Sequence, residues 1–179
     1  MSIASVPEGD LFEILQCITP NGQGSHWALG LKNGDVVQFT GPLGRLLLNE
    51  SPKKKVFVAT GCGISPFRSI ITYYLKHGGR SEIMLYWGMR YEKDLFWRDE
   101  LVKLGAGYAN FHHLITLSRP EDGWQGERGH VTEKIFNCEK DLLNSEFYLC
   151  GGNAMISDVK QKLRETGVPE SQIINEKFY

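Results

Sequence analysis

The sequence predicts an α/β fold, a doubly wound, parallel, five-stranded sheet, preceded by a small and incomplete β domain. Three observations carry this. From Lys55 onward, short apolar runs rich in β-branched and aromatic residues alternate with amphipathic helical stretches, the pattern of a parallel sheet covered on both faces. The first unit, residues 56–71, is an apolar run that stops abruptly at Thr60-Gly61-Cys62-Gly63 before a helical pattern opens. Before Lys53, short apolar stretches are separated by Thr19-Pro20-Asn21-Gly22, Lys32-Asn33-Gly34-Asp35 and Gly41-Pro42. The expected boundary divides residues 1–52 from residues 53–179.

Residues 11–18, with Leu11, Ile14 and Ile18, form the first expected strand. Gly24-Ser25-His26-Trp27-Ala28 leads into a short helix with Leu29 and Leu31 near its end, and Val36-Val37-Gln38-Phe39 is a further strand. So few elements cannot close a barrel or bury two faces. Their open edges and apolar face invite a partner, and a homodimer that pairs two half-domains about a two-fold axis is the simplest closed arrangement. A missing half supplied by another polypeptide, or partial disorder of the segment, are the alternatives. Lys53-Lys54-Lys55 reads as a solvated linker, with contact to an acidic partner as the alternative.

In the second part, residues 56–59 are a strand, and Ser65 as N-cap with Pro66 as first helical residue opens a helix over 66–77. Strand 83–87 precedes helix 95–104. Strand 111–117 precedes a long loop and helix 132–137, strand 147–150 precedes helix 154–166, and Ile173-Ile174 begins a last strand. Met155, Val159 and Leu163 recur on one helical face, a core stripe. His112 and His113 are adjacent on a strand, point to opposite faces and cannot share a metal.

Such sheets bind ligands at the carboxyl ends of their strands, near the switch point. Those ends here are Thr60-Gly61-Cys62-Gly63, Gly88-Met89-Arg90, Ser118-Arg119-Pro120 and Cys150-Gly151-Gly152-Asn153. Gly61 and Gly63 let a ligand approach the backbone, and the helix start that follows attracts an anion. The stretch therefore reads as a nucleotide-phosphate cradle, with an ordinary tight turn as the competing reading. Gly63→Val is expected to obstruct phosphate while sparing the fold. There is no G-x-x-x-x-G-K-[ST]. Pro66 stands where a third glycine of G-x-G-x-x-G would come, and strand 83–87 leads into Arg90 rather than an acidic residue, so neither familiar phosphate loop is present.

Composition bounds the rest. The 179 residues, 41% hydrophobic and 23% charged, suit one full globular domain plus a small one. A net charge of −1 argues against a nucleic-acid binder that works by bulk charge. No long apolar run or signal peptide points to a membrane or export. The four cysteines, 17, 62, 138 and 150, include no C-x-x-C and no iron–sulfur set. They are expected as free thiols in a cytoplasmic protein.

Ser2-Ile3-Ala4-Ser5, Gly34-Asp35 with Gly41-Pro42-Leu43-Gly44, Thr60 through Phe67 and Tyr86-Trp87-Gly88-Met89-Arg90 follow one another along the chain. Trp124-Gln125-Gly126 with Gly129-His130-Val131, Cys150-Gly151-Gly152-Asn153-Ala154-Met155 and Glu176-Lys177-Phe178-Tyr179 complete the series. Over essentially its whole length the chain thereby resembles the ferredoxin–NADP reductase family of flavoenzymes, and looks closest to the reductase modules that serve flavin reductases and oxygenases. The resemblance implies an NAD(P)-binding α/β domain preceded by a partial antiparallel β-barrel, the C-terminal half of a flavin domain. Ser2 matches the serine of the R-x-Y-S flavin motif, with Met1 at the tyrosine position. Gly24 and Ser25 match the segment that holds the flavin pyrophosphate. Thr60, Gly61, Cys62 and Gly63 match the loop that meets the nicotinamide dinucleotide, and Cys62 stands where many relatives carry Thr. Cys150 and Gly151 match the nicotinamide end, and Glu176 with Tyr179 matches the tail near the flavin.

The implied function is an NAD(P)H-dependent oxidoreductase passing hydride to FAD, or FMN, and electrons to a protein or small-molecule acceptor. Cys150, Glu176 and Ser2 would border the transfer site. Cys150 would pack its thiol against the nicotinamide, or serve only as a small buried hydrophobe. Arg90 is a candidate for the ADP-ribose side, or an ion-pair partner of Asp94. Ser118 and Arg119 could hold a 2′-phosphate, or Arg119 could be a solvent arginine in a turn. His26 is either a phosphate contact or a surface histidine, and Trp124 is expected to pack the loop after Arg119. The rival function is a truncated module that binds a nicotinamide nucleotide or a partner without turnover.

Overall fold

The computed structural model describes residues 2–18, 22–41 and 43–178. Six parallel strands form one sheet: β1 (Lys54–Thr60), β2 (Ile83–Met89), β3 (Phe111–Leu117), β4 (Glu127–Arg128), β5 (Ser145–Gly152) and β6 (Ile173–Phe178). Their order is β4-β3-β2-β1-β5-β6. The chain runs outward from β1 in one direction, then returns and runs outward in the other, so the switch point lies between β1 and β5. All five strands expected of the parallel sheet are present. The extra one, β4, is only two residues long and too short to leave a periodic signal.

The helices are α1 (Gln23–Gly30), α2 (Ile64–Lys76), α3 (Arg98–Gly107), α4 (Val131–Cys138) and α5 (Asn153–Glu165). Strand pleating sends alternate side chains to opposite faces. Phe57 and Ala59 of β1 join Ile64, Phe67 and Ile71 of α2 and Leu101 of α3 in one core. Val56 and Val58 join Val131 and Ile135 of α4 and Ile156, Val159 and Leu163 of α5 in the other. Burial on both faces is why β1 reads as a continuous apolar run.

Two helix starts differ from expectation. Residues Gly61–Gly63 already turn as a 3-10 helix, so α2 begins at Ile64 with Gly63 at the N-cap position, and Ser65 is not the cap. Pro66 still falls in the first turn, where no intrahelical N–H bond is lost. Helix α3 starts at Arg98 rather than residue 95. Leu95 and Phe96 pack into the core instead, and Trp97 adopts a left-handed conformation at φ 56°.

The region before Lys54 departs further. Helix α1 forms, but the expected strands over 11–18 and 36–39 do not. Among the described residues there is one antiparallel bridge, Ile3 to Ile14. A strand needs neighbouring backbone for its N–H and C=O groups, and little is offered here. Apolar side chains stay in water accordingly, Val36 at 98% and Leu11 at 86% exposure. The breaks expected at Thr19-Pro20-Asn21 and Pro42 lie outside the described residues.

The lysine run is not a solvated linker. β1 starts at Lys54, and the pleat turns Lys55 inward, fully buried, against Glu146 at the facing register of β5. Lys54 bridges Glu82 and Glu139 at 3.0 and 2.9 Å. Nor are all the thiols free. Cys17 and Cys62 form a disulfide, and Cys138 and Cys150 remain free. The bridge joins residues 45 apart in sequence, a pairing that linear spacing does not reveal, and it weakens the free-thiol argument for a cytoplasmic protein. Among the described residues no helix is long and apolar enough to cross a membrane.

Candidate functional site

Because every strand is parallel, all the carboxyl ends lie along one edge of the sheet. Ala59 pairs with Cys150, so Thr60 faces Gly151 across the switch point. Here the two strand ends press together. A Cβ on Gly63 would lie 2.2 Å from the Cys150 carbonyl oxygen, and one on Gly151 would lie 2.3 Å from Thr60 Oγ1. Gly151 also takes φ 139°, a value that favours glycine. The Gly152 N–H donates to Thr60 Oγ1 at 3.0 Å and ties the ends of β1 and β5.

Gly61 differs from Gly63. It sits at φ 55° and a Cβ there would meet nothing within 4 Å, so this face of the turn is open to a ligand. Its carbonyl is not free, because the indole Nε1–H of buried Trp87 donates to it at 3.0 Å. Trp87 stands in β2, within the Tyr86–Arg90 motif. Its apolar burial is legible in the sequence, but the aim of its nitrogen is not.

On the far side of β1, hydrogen bonding continues past the ends of β2 and β3. Ser118 N–H donates to the Met89 carbonyl at 2.9 Å and Arg119 N–H to the Arg90 carbonyl at 2.9 Å. Arg90 and Arg119 therefore leave the sheet as neighbours. Both are exposed, and among the described residues neither forms an ion pair, with Asp94 or with any other acid. Two exposed arginines without an ion-pair partner, on neighbouring strand ends beside Ser118, suit a phosphate.

Cys150 is fully buried, and Glu176 of β6 faces it in register. Burial, with a contribution from the Glu176 charge, pushes its thiol up to about 12. It is an uncharged, inert group at neutral pH and not a nucleophile.

The flavin-side candidates are placed less tightly. Ser2 is half-buried and its carbonyl accepts a hydrogen bond from Ser65 Oγ at 3.0 Å, which sets it beside the first turn of α2. Gly24 and Ser25 lie in the first turn of α1, with Gly24 facing Gln16, and His26 is exposed there. Tyr179 lies outside the described residues. Trp124 is buried, donates to the Glu127 carbonyl at 3.0 Å and packs on Gly126, so it orders the loop as expected.

A nucleoside diphosphate fits this edge: an open glycine turn at a helix start, then unpaired cations on neighbouring strands, and an apolar thiol at the switch point. Comparison with known proteins agrees. Residues 57–161 match the family described as the oxidoreductase NAD-binding domain. The chain is 32% identical to ferredoxin–NADP reductase B of Sorangium cellulosum (strain So ce56), over 99% of this chain and 76% of that one. It is 32% identical to the reductase component of propane 2-monooxygenase from Rhodococcus jostii (strain RHA1), over 83% of this chain but 42% of that one. A ferredoxin NADP+ reductase from Neisseria gonorrhoeae, solved with bound FAD and NADP, superposes with a TM-score of 0.86 at 21% identity, over 99% of this chain and 78% of that one. The chain thus spans three quarters of the first relative and about two fifths of the second.

Proposed function

The chain belongs to the oxidoreductase NAD-binding domain family, in its ferredoxin–NADP reductase branch, and from that premise we propose that it is an NAD(P)H-dependent flavin oxidoreductase module. In this reading hydride passes from the nicotinamide to FAD, with FMN the alternative, and electrons pass on to a protein or small-molecule acceptor. Residues 53–179 are the nucleotide domain and residues 1–52 the C-terminal half of the flavin barrel. The observation that carries the proposal is the convergence on one sheet edge of the open turn at Gly61, the Thr60–Gly152 tie and the unpaired Arg90–Arg119 pair.

The flavin and nicotinamide supply the redox chemistry when bound. The protein supplies position. Backbone N–H groups of the 61–63 turn and the start of α2 hold the pyrophosphate, and Arg90 takes the ADP-ribose side. Ser118 and Arg119 read a 2′-phosphate. Cys150 forms an uncharged wall that excludes water at the nicotinamide end, and Glu176 with Tyr179 borders the flavin side. Ser2 hydrogen-bonds the flavin edge, and Gly24 and Ser25 hold its pyrophosphate.

The first test is optical. The purified chain should take up FAD or FMN, turn yellow and bleach on addition of NAD(P)H. Arg119→Ala should then weaken NADPH and leave NADH unchanged; equal weakening of both removes Arg119 as the discriminator. A second reading, nucleotide binding without turnover, is favoured by the absence of strands among the described residues before Lys54. A colourless protein that refuses both flavins, yet melts at higher temperature with NAD(P)H, would establish it. The exposed apolar side chains of the N-terminal part are the surface that a second copy would cover, closing two half-barrels about a two-fold axis. Light scattering should give a dimer at micromolar concentration, and a monomer removes this arrangement.

A further inference from the structure

Cys62 is the middle residue of the Gly61–Gly63 turn, the centre of the proposed cradle. Its disulfide partner Cys17 lies in the N-terminal part, next to Gln16, which faces Gly24 of α1. Among the described residues the bridge is the one covalent tie, apart from the chain itself, between that segment and the sheet edge. The other ties are both apolar and polar: Ala4 is buried and Leu15 packs against the core on one face of the sheet. Ser65 holds the Ser2 carbonyl, Arg68 holds the Ala4 carbonyl at 2.9 Å and pairs with Glu13, and Lys76 pairs with Glu8 at 3.2 Å. Glu13, Glu8 and Lys76 are solvent-exposed, so those pairs contribute little. Residues 2–4 thus have part-buried holds of their own, whereas Cys17, at the exposed end of the segment, is fixed to the cradle by the bridge. The bridge is also within reach of solvent, since Cys17 is exposed and Cys62 is only half-buried. Exposed disulfides are the labile kind, open to attack by an external thiolate.

We propose that Cys17–Cys62 is a thiol-exchange site, a redox-sensitive tether that a dithiol reductant opens to release the stretch around Cys17 from the nucleotide cradle. A thiolate of the dithiol attacks Cys17 Sγ, the Cys17–Cys62 bond breaks, and Cys62 leaves as a thiolate and takes up a proton. The second thiol of the reductant then attacks the mixed disulfide and frees Cys17 as a thiol. Two electrons and two protons pass to the protein, and the dithiol becomes a disulfide. With the tether closed, a side chain flanked by two glycines is held in one place. With it open, Gly63 stays against β5 and Trp87 still holds the Gly61 carbonyl, but the Cys62 side chain is freed and a nucleotide must order it on binding. The closed form is the tighter binder.

The consequence for affinity rests on the cradle reading, whereas the exchange chemistry does not. The full chain is equilibrated with oxidised or reduced dithiothreitol, denatured, and labelled with a maleimide polymer that shifts its mobility. Two labels are expected on the oxidised chain and four on the reduced one. Reduction should speed protease cleavage within residues 11–18 and weaken NAD(P)H by about fivefold or more, the lower end of ordinary coupling between sites. Cys17→Ser, which leaves the cradle residues in place, should take three labels and match the reduced chain in cleavage and affinity in both reductant conditions. Four labels on the oxidised chain, or identical cleavage and affinity in the two states, overturn the tether. Failure of NAD(P)H to bind in either state overturns the cradle instead, while label count and cleavage still judge the tether.

Discussion

A methyl group has opposite consequences at Gly61 and Gly63, although the two residues are chemically identical and both flank Cys62. At Gly63 it would collide with the backbone of Cys150 at 2.2 Å, an atom that cannot move without displacing β5. The expectation that Gly63→Val spares the fold is therefore wrong, because this glycine serves strand packing as much as ligand approach. At Gly61 the methyl group enters open space at φ 55°, at a strain cost of about 1 kcal/mol. Gly63→Ala should lower unfolding free energy by about 3 kcal/mol, in line with backbone overpacking. Gly61→Ala should cost about 1 kcal/mol yet weaken NAD(P)H binding. Urea unfolding and fluorescence titration separate the two, and the same profile for both variants would refute the distinction. Trp87→Phe tests the other support of the turn. It keeps an aromatic ring against Phe96 but loses the bond to the Gly61 carbonyl. The expected loss is about 1 kcal/mol of stability, with weaker nucleotide binding. Sequence could place glycines and a tryptophan near the site; which atoms they touch depends on contacts between distant segments.

At the scale of elements, the strands of the α/β part were legible because central strands of a parallel sheet are buried on both faces and must be apolar throughout. The same logic misleads where a strand end is charged. Lys55 looks like solvent-facing chain, but it is buried against Glu146, which also accepts from Asn49 Nδ2 at 3.2 Å, Ser51 Oγ at 2.9 Å and Tyr148 Oη at 3.1 Å. Burial by itself would raise the Glu146 carboxyl, but its bonds to Lys55, Ser51 and Asn49 outweigh burial and hold it below the usual carboxylate range. A depressed folded value means the carboxylate adds stability above the unfolded value of about 4.3, which is lost as pH falls below it. Glu146→Gln should therefore destabilise the protein at pH 7 by about 3 kcal/mol, because Lys55 keeps a buried charge without its counterion. The variant should also lack this share of the acid loss between about pH 4 and lower values. Denaturant unfolding at pH 7 and pH 3.5 measures both, and a wild-type acid slope in the variant would contradict the assignment.

At the scale of the molecule, two cores close on the two faces of the sheet using side chains mostly from Lys54 onward; among the described residues before it, Leu46 is buried in the first core and Leu15 and Leu48 pack against it. The predicted division at residue 53 came from composition, which registers where the apolar pattern changes and not where hydrogen bonds end. By hydrogen bonding the α/β unit starts earlier. Asn49 N–H donates to Tyr148 Oη at 3.0 Å, and Lys55 Nζ donates to the Ser51 carbonyl at 3.0 Å and Ser51 Oγ at 2.9 Å. A chain starting at Lys53 would strip these partners from a buried ion pair, whereas one starting at Leu48 would keep them. Both lack Cys17, so neither carries the disulfide and any difference between them belongs to the network. Both should unfold cooperatively with the sheet intact, and the shorter should be less stable by about 2 kcal/mol, the cost of leaving buried polar groups short of partners. The comparison is a pair of guanidinium titrations at pH 7. Coincident midpoints would mean that Asn49 and Ser51 decorate the ion pair without supporting it, and that the boundary belongs at Lys53 after all.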